Sequence, residues 1–322
     1  MADNKRSIQT IRVVAAVLAV GAAALLAGCT PISGANEPRS PAVTAGFGHV
    51  HGLGADPSTG ETYAATHNGV WRIPTGALPD TYSTGAGRNN VAEPRQIAGR
   101  AQDTMGFTVG GPGLLLASGH PDPADRPALN PPNLGLISST DGAETWTSIS
   151  LQGQTDFHDL DSVALDNGEL RVYGYDAGAG TVTVSDDSGV TWSPGAQVEL
   201  RDLAADPSRP DRVFGTSADG ILVSEDSGET FAGVAGAPVL LLIVAMGEQA
   251  GGGFIGIDPE GAVWRQDAEA GTWTKTGQTD GAPEALGYVG GTEPWILAAD
   301  RRGIVASGDY GASWTILVQA ER

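Results

Sequence analysis

A short motif that recurs along the chain constrains its fold more than any other feature of the sequence. Three stretches follow the pattern S-x-D-x-G-x-[ST]-[WF], at residues 185–192, 224–231 and 307–314. In each stretch the Ser and Asp side chains can bond to nearby backbone N–H groups and hold a tight turn. The Gly supplies a backbone conformation that other residues reach only with strain. The repetition therefore predicts a repeated β-hairpin unit.

Two weaker copies complete the spacing of this motif. Residues 139–146 keep Ser, Asp, Thr and Trp with the Gly one place early, and residues 267–273 keep little beyond Asp, Gly, Thr and Trp. The closing aromatic residues follow one another at intervals of 39 to 46 residues, which is the length of a four-stranded propeller blade. They are Trp146, Trp192, Phe231, Trp273 and Trp314. A first unit without the motif starts near Gly52, so the sequence predicts an all-β, six-bladed β-propeller with four-stranded blades.

The motif resembles the Asp-box (BNR) repeat. Proteins with this repeat include sialidases, other glycoside hydrolases, sortilin-like receptors and photosystem II assembly propellers. The likeness covers roughly residues 45–318. It implies the propeller fold, and it implies a sialidase-like glycoside hydrolase as one candidate activity. Propellers host many unrelated activities, so the resemblance indicates fold better than function.

The N-terminus has the features of a bacterial lipoprotein signal. Basic residues precede an apolar run at 13–27, and Leu26-Ala27-Gly28-Cys29 resembles the lipobox. We expect residues 1–28 to be a signal peptide, residues 29–45 a flexible tether and residues 46–322 the propeller. Lipid on Cys29 would anchor the protein to the extracytoplasmic face of a bacterial cell membrane. An ordinary signal peptide or a short membrane anchor is the alternative, although the apolar run is shorter than the ~20 residues of a spanning helix.

Charge and cysteine content restrict the classes of partner. The formal net charge is −20, from 18 basic and 38 acidic residues, which argues against binding nucleic acid. Cys29 is the only cysteine, so the chain has no intrachain disulfide and no cysteine-based metal cage. We expect a monomer held at the membrane by lipid rather than by surface charge.

The histidines are the principal candidates for a functional site. All five lie in the first half of the chain: His49, His51, His67, His120 and His158. Each falls at the start of an innermost strand or at the end of the following strand in the first three predicted blades. Up-and-down strands bring these positions to one face of a propeller. The sequence therefore predicts that the histidines share one face, opposite to the repeated motifs.

Imidazole groups gathered on one face suit a transition metal, copper or zinc. Met105 begins the innermost strand of the second unit and is a further candidate ligand, since a thioether favours Cu(I). Asp103, Asp156 and Asp159 are candidates either to bind the metal or to orient imidazole N–H groups. The loop from Pro121 to Asn133 is predicted to overhang the face as a lid. The alternative is a set of separate loop histidines that bond to backbone.

Two other function classes remain open. A glycoside hydrolase requires paired carboxylates, for which Asp156 and Asp159 are weak candidates. Arg72-Ile73-Pro74 matches an Arg-Ile-Pro motif of sialidases, but its position indicates the end of a strand. The third class is a scaffold that binds a glycan or a protein through one face of the propeller. Such a scaffold is expected to tolerate the loss of its histidines.

Overall fold

The computed structural model of the chain describes residues 46–78, 91–125, 132–247, 250–290 and 294–320. The predicted signal peptide, the tether and Cys29 lie outside these residues. Within these ranges, no helix has the length and apolar character needed to cross a membrane. Nearly all the regular structure is β-strand, and a short 3-10 helix covers Pro123–Asp125.

The strands form six blades of four strands each. Blade 1 contains β1 to β4: Val50–Ala55, Thr62–Thr66, Gly69–Ile73 and Arg95–Gln96. Blade 2 contains β5 to β8: Asp103–Gly111, Leu114–His120, Leu136–Ser139 and Thr147–Ser150. Blade 3 contains β9 to β12: Phe157–Ala164, Leu170–Asp176, Thr181–Ser185 and Ser193–Gln197. Blade 4 contains β13 to β16: Asp202–Ala205, Val213–Ser217, Gly220–Ser224 and Ala232–Gly233. Blade 5 contains β17 to β20: Leu242–Ala245, Phe254–Ile257, Ala262–Gln266 and Trp273–Gln278. Blade 6 contains β21 to β24: Ala285–Val289, Trp295–Asp300, Gly303–Ser307 and Thr315–Gln319.

The predicted six-bladed propeller is confirmed. Each blade is an antiparallel meander of consecutive strands, with its first strand innermost. The innermost strands contact one another around a central channel, and β21 of the last blade contacts β1 of the first. A Cβ atom at Gly287 would lie 2.5 Å from the Leu53 carbonyl oxygen, so blades 6 and 1 approach closely. The ring therefore closes by packing, without a strand shared between its ends.

Apolar side chains between adjacent blades make the core. Buried Leu53 and Ala64 of blade 1 pack in one cluster with Leu297 and Ile304 of blade 6, for example. The outermost strands are more exposed, as Trp273–Gln278 shows, since this strand has no fully buried residue. Each blade thus buries its inner strands between its neighbours, which is how a four-stranded sheet of this size becomes stable.

The repeated motif folds as a hydrogen-bonded turn between the third and fourth strands of a blade. Ser185 Oγ donates to Asp187 Oδ1 over 2.7 Å and accepts from the Gly189 N–H over 2.8 Å. The Asp187 carboxylate accepts from the backbone and the hydroxyl of Thr191. The copies at 139–145, 224–230 and 307–313 make the same bonds. In the weaker first copy Ala143 takes the place of the glycine, with φ of 69°.

The same turns also join neighbouring blades. The Gly189 carbonyl accepts a bond of 2.5 Å from Ser150 Oγ of the preceding blade. The Gly228 carbonyl accepts from the Ala196 N–H over 2.7 Å in the same way, and the Gly311 carbonyl from the Gln278 N–H over 3.1 Å. The turns lie at the end of each blade away from the start of its innermost strand. Their role in this protein is therefore structural, and membership of the Asp-box family stays a prediction.

Replacing Asp226 with alanine is expected to lower the free energy of unfolding measurably, because the Thr230 N–H and hydroxyl lose their acceptor. Chemical denaturation measures this. Glu229→Ala is the matched control, since this exposed side chain in the same turn has no hydrogen-bond or ion-pair partner among the described residues. Equal stability of the two variants would contradict a structural role for the motif.

Candidate metal site on the upper face

The strand order brings the five histidines to the face where innermost strands begin, here called the upper face. His49 precedes β1, His51 lies in it, and His67 directly follows β2. The His67 N–H donates to the His49 carbonyl over 3.1 Å, which ties the two positions together. His120 ends β6, and His158 is the second residue of β9. Three adjacent blades therefore supply all five rings.

Each of these three blades has a β-bulge at the upper end of its innermost strand. His51 is the extra residue in β1, since Val50 pairs with Thr66 and Gly52 with Ala65. His158 is the extra residue in β9. In β5 the extra residue falls at 105–106. The innermost strands of blades 4 to 6 pair with their neighbours without a register shift over their described residues. Bulges re-aim side chains and are common next to functional sites, and among the described innermost strands they occur only in the blades that carry histidines.

Three of the histidine rings are in contact. The centroid of the His51 ring lies 4.8 Å from that of His49 and 4.6 Å from that of His67. Asp103, the first residue of β5, faces them from blade 2. One potential ligand atom from each of His51, His67 and Asp103 lies within 4.8 Å of the other two. These residues are the three-member set to which a single ion would bind.

Two atoms in this set are buried without a hydrogen-bond partner among the described residues, His51 Nε2 and Asp103 Oδ1. They face each other at 3.7 Å, which is too long for a hydrogen bond. Burial, reinforced by His49 and His67, lowers the pKa of His51 to about 3, so the ring is neutral at neutral pH. Burial also raises the pKa of Asp103. A neutral imidazole is the form that binds metals.

His120 and His158 form a second group around Asp156. Asp156 Oδ2 lies 3.2 Å from His120 Nε2 and 3.1 Å from His158 Nε2. The hydrogen bond to Asp156 is the main cause that raises the pKa of His158. His120 Nδ1 lies 3.1 Å from the carbonyl oxygen of Pro132. The upper face therefore holds two adjacent groups of histidines, each with its own carboxylate.

Glu284 is a member of the upper face that sequence reasoning missed. Its Oε2 lies 3.3 Å from His49 Nδ1 and accepts a 3.0 Å bond from the Val50 N–H. Glu284 directly precedes β21, as His49 precedes β1 and Asp156 precedes β9. That shared position before an innermost strand is the sequence signal that would have identified it.

The other predicted site residues lie nearby or have other roles. Met105 lies on β5 at the bulge, two residues beyond Asp103. Its role as a metal ligand stays a prediction. Asp122, in the predicted lid, instead accepts bonds from the Ala101 and Ala124 N–H groups, and the rest of that loop at 126–131 lies outside the described residues. Arg72 pairs with Glu61 at 3.1 Å on β3, one residue before this strand ends.

Below the upper face the central channel has a volume of about 360 Å³ and is lined with carboxylates. Asp159 accepts from the Leu203 N–H of the next blade over 2.5 Å, and Asp202 accepts from the Ile243 N–H over 2.6 Å. Burial and the adjacent carboxylate of Asp202 raise the pKa of Asp159 well above its ordinary value, and burial raises the pKa of Asp202. The raised pKa values of these two buried carboxyl groups favour a proton on the pair. Asp159 is therefore part of a channel pair rather than of the histidine groups.

The Asp159–Asp202 pair is expected to make stability depend on pH. Its folded-state pKa values are raised, so the proton on the pair stabilises the fold below about pH 4 and is lost as pH rises through the raised values. In Asp202→Asn the amide replaces the proton on the pair. Between pH 4 and 8, the free energy of unfolding should fall by about 2 kcal/mol less in this variant than in wild type. Denaturation at each pH measures the gain, and a constant difference would contradict it.

Comparisons with known proteins support the fold. No family model matches the chain, and no curated protein matches it. Among solved structures, a GH74 enzyme of Niastella koreensis matches 83% of this chain at 15% identity with a TM-score of 0.50, and 37% of its own length is covered. A GH74 xyloglucanase from Xanthomonas campestris matches 85% at 17% identity with a TM-score of 0.49, and 46% of its own length is covered. The chain thus spans less than half the length of these glycoside hydrolases, and the likeness establishes the propeller fold alone.

Proposed function

We propose that the protein is a membrane-tethered, extracytoplasmic propeller that binds a transition metal, copper or zinc, on its upper face. One observation carries the proposal: His51 Nε2 and Asp103 Oδ1 are buried, lack hydrogen-bond partners among the described residues and lie 3.7 Å apart. Leaving such buried polar atoms without a partner costs free energy. Neighbouring ligands of a tetrahedral ion with bonds near 2.1 Å lie about 3.4 Å apart, so an ion would satisfy both atoms with a small shift.

The surrounding residues suit such an ion. His67 supplies a second imidazole and His49 stands beside both rings. Asp103 and Glu284 supply negative charge that offsets the charge of a divalent ion. Two or three imidazoles and a carboxylate are ligands preferred by zinc and Cu(II). Lipid on Cys29 would hold the protein on the extracytoplasmic side of the membrane.

The proposal is tested by metal content and by titration. The protein is purified without chelators, its metal content is measured by mass spectrometry, and the metal-free form is titrated with Zn²⁺ and Cu²⁺. We expect stoichiometric metal in at least one preparation and a rise in melting temperature on titration, because binding to the folded state stabilises it. Absence of stoichiometric metal together with no binding on titration would overturn the proposal.

A glycoside hydrolase is the second candidate, favoured by the likeness of the fold to the Niastella koreensis GH74 enzyme. Catalysis by two carboxylates requires them to stand on either side of the scissile bond, at least about 5 Å apart. Asp156 instead contacts two histidines, and Asp159 is hydrogen-bonded to Asp202. A panel of fluorogenic glycosides and sialosides tests this candidate; turnover that is lost in Asp156→Asn or Asp159→Asn would favour it. A scaffold is the third candidate, and it would keep its partner when His51 and His120 are replaced.

A further inference from the structure

The group around Asp156 contains potential metal-ligand atoms that an ion at His51, His67 and Asp103 does not use. Asp156 Oδ2 is within 3.2 Å of the Nε2 atoms of both His120 and His158. The other carboxylate oxygen, Oδ1, is buried and has no hydrogen-bond partner among the described residues. The Asp156 side chain is only 14% exposed, although both histidines are more than 40% exposed. The group therefore has a buried carboxylate, one oxygen of which has no partner among the described residues, and two exposed imidazoles.

The hydrogen bond of His120 to a backbone carbonyl determines which of its two ring nitrogens carries the proton. The Pro132 carbonyl oxygen, 3.1 Å from Nδ1, can only accept a hydrogen bond, so Nδ1 carries a proton. In the neutral ring Nε2 is then unprotonated, and its lone pair is 3.2 Å from a carboxylate oxygen. Two acceptors at this distance repel each other unless a cation or a further proton lies between them. A bond from one ring nitrogen to a backbone carbonyl, with the other nitrogen free, is how metal-binding histidines are commonly held.

The distances from the Asp156 carboxylate to the two imidazoles also suit an ion. Adjacent ligand atoms around a tetrahedral ion with bonds near 2.1 Å are about 3.4 Å apart. The separations from Asp156 Oδ2 to the two imidazole nitrogens are 3.2 and 3.1 Å. His158 is the bulged residue of β9, so its ring is turned from the position that a regular strand would give it. The three ligand atoms do not all lie within 4.8 Å of one another, so an ion at this place would have to draw the two exposed rings together.

The two groups are neighbours in one β-ladder. Asp103 of the first group and His120 of the second are directly paired between β5 and β6. Cβ atoms of residues paired in this way lie about 4.5–5.5 Å apart. Asp156 comes from the adjacent blade and faces the same space. The carboxylates of Asp103 and Asp156 thus supply one negative charge for each group.

We propose that the upper face binds two transition-metal ions, the first at His51, His67 and Asp103 and the second at His120, Asp156 and His158. This inference rests on the proposed function, because the second ion extends the same site. Neutral imidazoles and carboxylates serve both positions, so both are expected to accept the same class of divalent ion.

The number of ions per chain tests the inference. Metal-free protein is saturated with Zn²⁺ or with Cu²⁺, unbound metal is removed by gel filtration, and metal per chain is measured by mass spectrometry. We expect two ions in wild type and one in the double variant with His120→Gln and His158→Gln. Asp156→Asn, which keeps the shape of the side chain, is expected to hold one ion as well. Asp166→Asn, an exposed carboxylate at the other end of blade 3, is the control and should hold two.

The outcomes separate the inference from the proposed function. One ion in wild type, kept in the His120 and His158 double variant, would overturn the second position and leave the first intact. No ion in wild type would overturn both. Circular dichroism and melting curves check that each variant folds. With Cu²⁺, paramagnetic resonance gives a second readout: two adjacent ions should broaden each other's signal, and the double variant should give the sharp signal of one ion.

Discussion

Replacing His51 with leucine is expected to weaken metal binding at the first position by at least about 100-fold while leaving the metal-free protein as stable as wild type or more so. Only 11% of the His51 side chain is exposed, and its Nε2 has no hydrogen-bond partner among the residues described. Leucine fills a similar volume and removes a polar atom that the metal-free fold leaves unsatisfied. In His51→Leu, the stability of the metal-free protein should therefore hold or rise, while its affinity for metal falls.

Melting curves with and without Zn²⁺ measure both effects of the His51 substitution. Wild type should melt at a higher temperature when zinc is added, whereas the zinc-dependent gain of His51→Leu should be clearly smaller, because only the second position still binds zinc. Asp166→Asn is the control and should keep the full gain. A variant that loses several kcal/mol of metal-free stability would show that His51 is a structural histidine. A variant that keeps the full zinc-dependent gain would exclude His51 as a ligand.

Replacing Gly277 with alanine is expected to lower the free energy of unfolding by about 3 kcal/mol. Gly277 lies in β20, the outermost strand of blade 5, against the motif turn of blade 6. A Cβ atom there would lie 2.0 Å from the Gly311 backbone, which has no freedom to move aside because its carbonyl accepts from the Gln278 N–H. The methyl group would force the two blades apart at the contact where the repeated motif joins them.

Gly233→Ala is the matched control for Gly277→Ala. Gly233 lies in β16, the corresponding outermost strand of blade 4, and a Cβ atom there would have no heavy atom within 4 Å. Both glycines have ordinary strand dihedrals, so the two variants differ mainly in the contact with the next blade. Chemical denaturation should show a large loss for Gly277→Ala and little change for Gly233→Ala. Equal losses would indicate that backbone freedom, rather than the inter-blade contact, decides the effect.

The repeated motif allowed much of the fold to be predicted, because its bonds are local. Ser185, Asp187 and Thr191 lie within seven residues of one another, and the turn they make depends on little else. The period of the motif then determined the number of blades. The same logic placed the histidines, since the start of an innermost strand and the end of the next strand must lie side by side in an antiparallel meander.

The bonds between blades were beyond prediction from local pattern. Glu284 contacts His49 across the closure of the ring, and Asp159 contacts Asp202 and the next innermost strand, over separations of tens to hundreds of residues. The blade period places these residues near the starts of innermost strands, but it does not say which of their side chains meet. Asp159 was predicted as a candidate near the histidines, but its carboxylate belongs to the channel pair because the twist of β9 and the packing of β13 decide what it faces.

Short-range turns repeated at a constant spacing were enough to predict the class of fold, the number of blades and the face on which the histidines lie. Which side chains meet depends on the packing of strands and blades against one another. Bulges at His51 and His158 change the direction of single side chains at the upper ends of β1 and β9. A bulge depends on the register between two strands and the packing around them, so the sequence did not show that the histidines form two groups, each with its own aspartate.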